Sequence, residues 1–168
     1  MKLYHGKYRG SVKSNIDSES RGRLLVNVPA VMGPLGNNWA LPCFPYAGLL
    51  AGSFIVPPIG APVWVEFEGG NPGKPIWVGG FYGKGQAPPI GLAGPPGTQE
   101  FVIQTTLKNV ISIKDLPGPA GGIMLQASSG AMILINDAGI VLQDGKGGII
   151  TMAAGVIGIN PPNLVIAK

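Results

Sequence analysis

Pro62-Val63-Trp64-Val65-Glu66-Phe67-Glu68-Gly69-Gly70-Asn71-Pro72-Gly73-Lys74-Pro75-Ile76-Trp77-Val78-Gly79-Gly80-Phe81 is the stretch that decides the fold. Val63, Val65 and Phe67 alternate with Trp64, Glu66 and Glu68, the period of two of a half-buried β-strand. Gly69–Lys74 carries three glycines, an Asn and a Pro and reads as a tight turn. Lys74–Phe81 then reads as a second strand. The same punctuation extends upstream, where Tyr8–Lys13, Arg23–Val28 and Trp39–Phe44 read as further short strands. A loop with Pro29, Gly33, Pro34 and Gly36 separates the last two. Five short strands in about 80 residues predict a small closed barrel, of which the OB-fold is the five-stranded type. No amphipathic helix is evident.

Downstream the composition changes. All twelve aromatic residues lie between Tyr4 and Phe101, and the last 67 residues hold none. A Gly/Pro-rich stretch, Gly83–Gly97, reads as a linker. The expected organisation is therefore a barrel over 1–83, a linker over 84–100 and a second β domain over 101–168. In that last part Ile103–Ile113 leads into a turn at Pro117-Gly118-Pro119. Strands starting at Ile123, Ala131, Gly139, Gly148 and Gly155 follow, punctuated by Gly130, Gly139, Gly148 and Gly155. Such a short-period β repeat signals a solenoid or β-helix. The 28 Gly and 17 Pro accompany 45% apolar residues, so they punctuate strands rather than mark disorder.

Burial sets the next expectation. Only 12% of residues are charged, about half the usual share. From Leu116 to Lys168 only Asp137, Asp144, Lys146 and Lys168 carry charge, and segments such as Met132–Ile135 are apolar at successive positions. Short strands of this kind leave long open edges that invite pairing with other chains. One solution winds identical chains about a common axis, each strand pairing with a neighbouring chain, with cyclic symmetry closing the assembly. The residues expected to fill that core are Ile133, Ile135, Ile140, Leu142, Ile150, Met152, Ile157 and Ile159. Adjacent apolar residues blur their in/out phase.

Candidate chemistry is sparse. His5 and Cys43 are the only histidine and the only cysteine. A nucleophile pair needs a third orienting group, which the sequence does not supply. A single cysteine allows no intrachain disulfide, so a reducing compartment is the default. No signal peptide is expected, because Met1–His5 lacks an apolar region, and no uninterrupted apolar run is long enough to span a bilayer. Asp137 and Asp144 read as solvated turn residues, since a hard cation needs several convergent oxygens. Gly69–Lys74 lacks the form of a phosphate loop and precedes a strand. Trp39, Trp64 and Trp77 raise the idea of a base-stacking platform. The net charge of +4 lies wholly within residues 1–95, and Lys7, Arg9, Lys13, Arg21 and Arg23 make a weaker basic set than nucleic-acid binders show. Barrel packing, or packing between protomers, is the expected role of the tryptophans. No catalytic residue, metal site or cofactor is expected.

Gly6–Val12, Gly22–Pro29, Trp39-Ala40 with Cys43–Gly48, Phe54–Gly70 and Pro72–Gly83 resemble, in order, the OB-fold of contractile-tail spike proteins: the phage baseplate assembly protein V group and the related VgrG hub proteins. Ile133–Leu142 resembles the family's triple-stranded β-helix. The resemblance implies an all-β chain, an N-terminal OB-fold barrel followed by a C-terminal intertwined trimeric β-helix or needle. It implies a homotrimer at the centre of a baseplate, in a virion or phage-like particle, its OB end against tail-tube or hub proteins and its needle driven through the target-cell membrane. Some family members carry an inserted enzyme, for which the linker leaves no room. Some carry an H-x-H iron site at the needle tip, which this chain, whose only histidine is His5, is not expected to form. A blunt C-terminal end over Asn160–Lys168, capped by a separate small PAAR-like tip protein, is expected instead. Two other readings remain: an OB-fold single-stranded nucleic-acid binder with an oligomerising tail, and a lytic enzyme.

Overall fold

The computed structural model describes residues 2–160 and the backbone of 164–167. The chain divides into two compact units, Met1–Gln86 and Ala87–Lys168.

The first unit is a closed five-stranded barrel. Its strands are β1 (Tyr8–Ser14), β2 (Leu24–Asn27), β3 (Asn38–Pro42), β6 (Pro62–Phe67) and β7 (Pro75–Gly80). They run in the order β1-β2-β3-β7-β6 and return to β1. All neighbours are antiparallel except β3 and β7, whose parallel contact through Leu41–Ile76 and Pro42–Trp77 closes the barrel. This is the five-stranded barrel expected. The alternation read in β6 is as expected too: Val63, Val65 and Phe67 are buried, and Trp64 and Glu66 are not. Val12, Leu24, Val26, Val28, Ala40 and Trp77 complete the core. Gly10 lies on β1 where a Cβ would come 3.1 Å from both the Asn27 carbonyl and a Val65 methyl, so the strand pair needs glycine there.

Polar groups pin the connections. Asn27 is buried, and its Nδ2 donates to the carbonyls of Gly33 and Gly36, holding the 28–37 loop. That loop contains a single helical turn, α1 (Pro29–Met32), whose half-buried Val31 and Met32 pack against the core. A two-stranded hairpin, β4 (Ala47–Gly48) and β5 (Ala51–Gly52), projects between β3 and β6. Nothing in the sequence reading singled it out.

Asp17 organises the β1–β2 loop. Its Oδ1 accepts from Arg23 Nε at 2.9 Å and from the Glu19 amide at 3.0 Å, and its Oδ2 from the Arg21 and Arg23 amides. The Arg23 guanidinium beside it, with these three amides, holds the Asp17 carboxyl well below the usual carboxylate range. The depressed value means the carboxylate stabilises the barrel fully above the unfolded-state range near pH 3.9, and that contribution is lost as pH falls below it. Asp17→Asn is therefore expected to melt below wild type at pH 7. The gap should close as the pH is lowered through about 4 and below, as measured by thermal melts of barrel tryptophan fluorescence.

The second unit is one eight-stranded antiparallel meander: β8 (Glu100–Gln104), β9 (Val110–Lys114), β10 (Gly122–Gln126), β11 (Ala131–Asn136), β12 (Gly139–Asp144), β13 (Ile149–Ala153), β14 (Val156–Ile159) and β15 (Leu164–Ala167). Each strand pairs with its sequence neighbours. Ile103–Ile113 holds the hairpin of β8 and β9, turned at Lys108, which takes a left-handed φ of 65°. Within the chain, every strand finds a hydrogen-bond partner in a sequence neighbour. Connections of a few residues make a sequence neighbour the partner with the smallest loop-closure entropy.

Within the stretch read as a linker, Pro89–Leu92 forms a 3-10 turn against β8. Lys114 Nζ donates to the Ile90 carbonyl and lies 3.3 Å from Glu100 Oε2 on the facing strand. The C-terminal tip reading falls partly on 161–163 and 168, outside the described residues. Among the described residues no helix is long and apolar enough to cross a membrane.

Candidate trimerisation face and placement of the site residues

Strand register sorts the second unit's side chains into two faces. One face carries two unbroken cross-strand ladders. The first runs Phe101, Ile113, Ile123, Ile135, Ile140, Met152, Ile157. The second runs Ile103, Ile111, Leu125, Ile133, Leu142, Ile150, Ile159. All eight residues expected in the core lie in these ladders: Ile133, Ile135, Ile140, Leu142, Ile150, Met152, Ile157 and Ile159. The eight therefore share one face of the sheet. The opposite face is mixed, its middle row being Val102, Ser112, Met124, Leu134, Val141, Thr151 and Gly158.

The ladders have no cover within the chain. All of their residues except Ile140, Leu142 and Met152 are 39% to 55% exposed. A groove of about 830 Å³ follows the second ladder past the turns at Asn109, Ala127 and Gly148. Eleven exposed aliphatic or aromatic side chains on one sheet face far exceed what a monomer's surface normally shows. Covering a half-exposed one contributes about 1 kcal/mol, so the face represents on the order of 10 kcal/mol per chain. That matches the whole stability of a typical domain. The face offers no donor, acceptor or charge in its interior, so it is suited to packing and not to chemistry.

The candidate chemical residues are scattered. His5 sits beside Gly70 at the β6–β7 turn, while the exposed Cys43 follows β3 with its amide on the Trp77 carbonyl. No hydrogen bond joins them among the described residues. Asp137 Oδ2 accepts from the Gly118 amide at 2.6 Å, and Asp144 Oδ1 from the Lys146 and Gly148 amides. Those amides hold the Asp144 carboxyl below its ordinary range. Both carboxylates are thus spent on turns, and among the described residues no group of three potential metal ligands forms. The Gly69–Lys74 segment is the tight turn expected, with left-handed Gly69 and Gly70 and Asn71 Oδ1 accepting from the Gly73 amide.

The three tryptophans do not share a surface. Trp77 is 6% exposed in the barrel core, edge-on to Phe44 at 5.4 Å, with Nε1 donating to the Gly22 carbonyl at 3.1 Å. Trp39 lies under the Arg23 guanidinium at 5.2 Å. Trp64 stacks with Phe81 at 4.7 Å, and Arg9 caps both rings. Rings occupied in this way offer no stacking platform for bases. The basic set is also largely neutralised. Lys7 pairs with Glu66, Arg21 with Glu19, and Arg23 with Asp17 and Glu19.

Comparison with known proteins agrees with this geometry. Residues 8–82 match the type VI secretion system/phage-baseplate injector OB domain. Residues 100–165 match the phage baseplate V C-terminal trimerisation domain. A search of curated proteins returned no match. The two models coincide with the barrel and with the laddered sheet, and together they span most of the chain. The chain therefore belongs to the phage baseplate V family, structural baseplate proteins built from an OB barrel and a trimerising β domain.

Proposed function

We propose that this protein is the central spike of a phage-tail baseplate or related contractile injection system. Three copies bring their laddered faces together about one axis, with Ile133, Ile135, Ile140, Leu142, Ile150, Met152, Ile157 and Ile159 in the core. The barrels dock under the tail tube or hub, and the β needle pierces the target envelope on contraction. A separate tip protein closes the C-terminal end. The observation that carries this reading is the pair of uninterrupted apolar ladders running across seven strands in a domain of the trimerising type.

The mechanism is stiffness. Backbone hydrogen bonds within each sheet resist shear, and a continuous apolar core between three sheets resists bending. Assembly adds stability that an isolated chain lacks. Work of this kind needs no nucleophile, general base or cofactor, in keeping with the scattered His5 and Cys43. Electron microscopy of native particles carrying an antibody fragment against the barrel tests the reading. Label is expected on the particle axis at the baseplate, with three copies per particle. Label on the sheath or away from the axis would exclude a central spike.

A further inference from the structure

From Leu24 to Val65 the chain carries no charged residue. This segment includes the 28–37 loop, which packs against the barrel, and the arm between β3 and β6. The arm ends in the β4–β5 hairpin, with Leu49 and Leu50 at its tip. Leu49 is 95% exposed and Leu50 fully exposed, and Tyr46, Ile55 and Ile59 along the arm are exposed as well. Leu50 also holds a left-handed φ of 55°, where a glycine or asparagine is favoured. An apolar residue in that position is unfavourable in backbone and in hydration alike. Strain combined with exposure of this kind marks a contact made outside the chain.

We propose that the Leu49–Leu50 hairpin is an exchange arm that docks on the barrel of a neighbouring copy of this chain, forming a second, barrel-to-barrel ring in the trimer. Three observations select a copy of the chain as the occupant. The trimerising domain tethers three barrels, so a modest apolar contact between them is made at high effective concentration. The absence of charge from Leu24 to Val65 fits a permanent interface and not a transient, electrostatically steered one. A lipid surface is disfavoured for the same reason, since no Lys or Arg flanks the tip. A head-to-tail ring also needs two different patches on each copy, and the barrel has them: the arm, and the uncharged 28–37 loop with Leu35 89% exposed.

The inference rests on the trimeric reading, and its test separates the two. A photo-crosslinking benzophenone amino acid is placed at position 50 of the full chain, and the mass in solution is measured first. A monomer at that stage overturns the trimer and this inference together. With three chains present, illumination is expected to give covalent dimers and trimers whose linked peptides join position 50 to residues 1–86 of another copy. Crosslinks only within one chain, or only to an added tube or hub protein or to vesicles, overturn the arm exchange while leaving the spike intact. As a second reading, Leu49→Ser/Leu50→Ser is expected to keep the mass of three chains and lower the barrel melting transition by several degrees. An unchanged transition counts against the ring.

Discussion

Leu142→Asp should leave the chain monomeric. Leu142 stands mid-ladder on β12, directly across from Ile133 on one side and Ile150 on the other. With the laddered faces turned to one axis, the substitution sets three carboxylates into an apolar core with no partner. An unpaired buried charge costs several kcal/mol even after relaxation. Each chain's carboxylate thus offsets much of the roughly 10 kcal/mol that its face contributes, and the mutual repulsion of the three adds to the cost. Light scattering should report one chain instead of three. The near-ultraviolet dichroism of Trp39, Trp64 and Trp77, all in the barrel, should persist. The neighbouring Val141→Asp is the control, because Val141 faces the opposite way, in the row with Leu134 and Thr151. It should assemble. If Val141→Asp dissociates and Leu142→Asp does not, the inward face has been assigned the wrong way round.

Trp77→Ala should remove most of the barrel's stability while sparing the trimer. The indole is nearly fully buried, meets Phe44 edge to face and donates its N–H to the Gly22 carbonyl across 55 residues of chain. Truncation leaves a large cavity and an unpaired carbonyl, for a loss of about 3–5 kcal/mol. Domains of this size hold only about 5–15 kcal/mol in total. Urea unfolding followed by the two remaining tryptophans should show the midpoint falling accordingly, with three chains still associated. A loss under about 1 kcal/mol would mean that the ring is not packed as described.

The ease with which each element is read from sequence follows its physics. The phase of β6 is legible because one face is buried and the other is not, so Val63, Val65 and Phe67 stand out against Trp64 and Glu66. The Gly69–Lys74 turn is legible because left-handed glycines and an Asn cap have few other uses. The β8–β9 turn is not. It is built from Thr105, Leu107, Lys108 and Asn109, and the lysine, not a glycine, takes the positive φ. Its hydrogen bond from the Ser128 amide to Asn109 Oδ1 is a contact between turns that no local pattern announces. The three tryptophans look alike in the sequence. Only the closure of the barrel decides that Trp77 is core while Trp39 and Trp64 lie under arginines.

The sequence by itself determined a five-stranded barrel followed by an aromatic-free β repeat with more apolar surface than one chain can hide. Composition, the period of two and glycine punctuation are local properties, and they suffice for that. Which strands are neighbours, and which side chains share one face of the sheet, was decided only by the tertiary structure. Val141 and Leu142 are equally apolar, and their roles part only when cross-strand register sets Leu142 between Ile133 and Ile150. The parallel closure of β3 on β7 is likewise a long-range event. Register and closure are set by partners distant in the chain, and local preference carries no information about those partners.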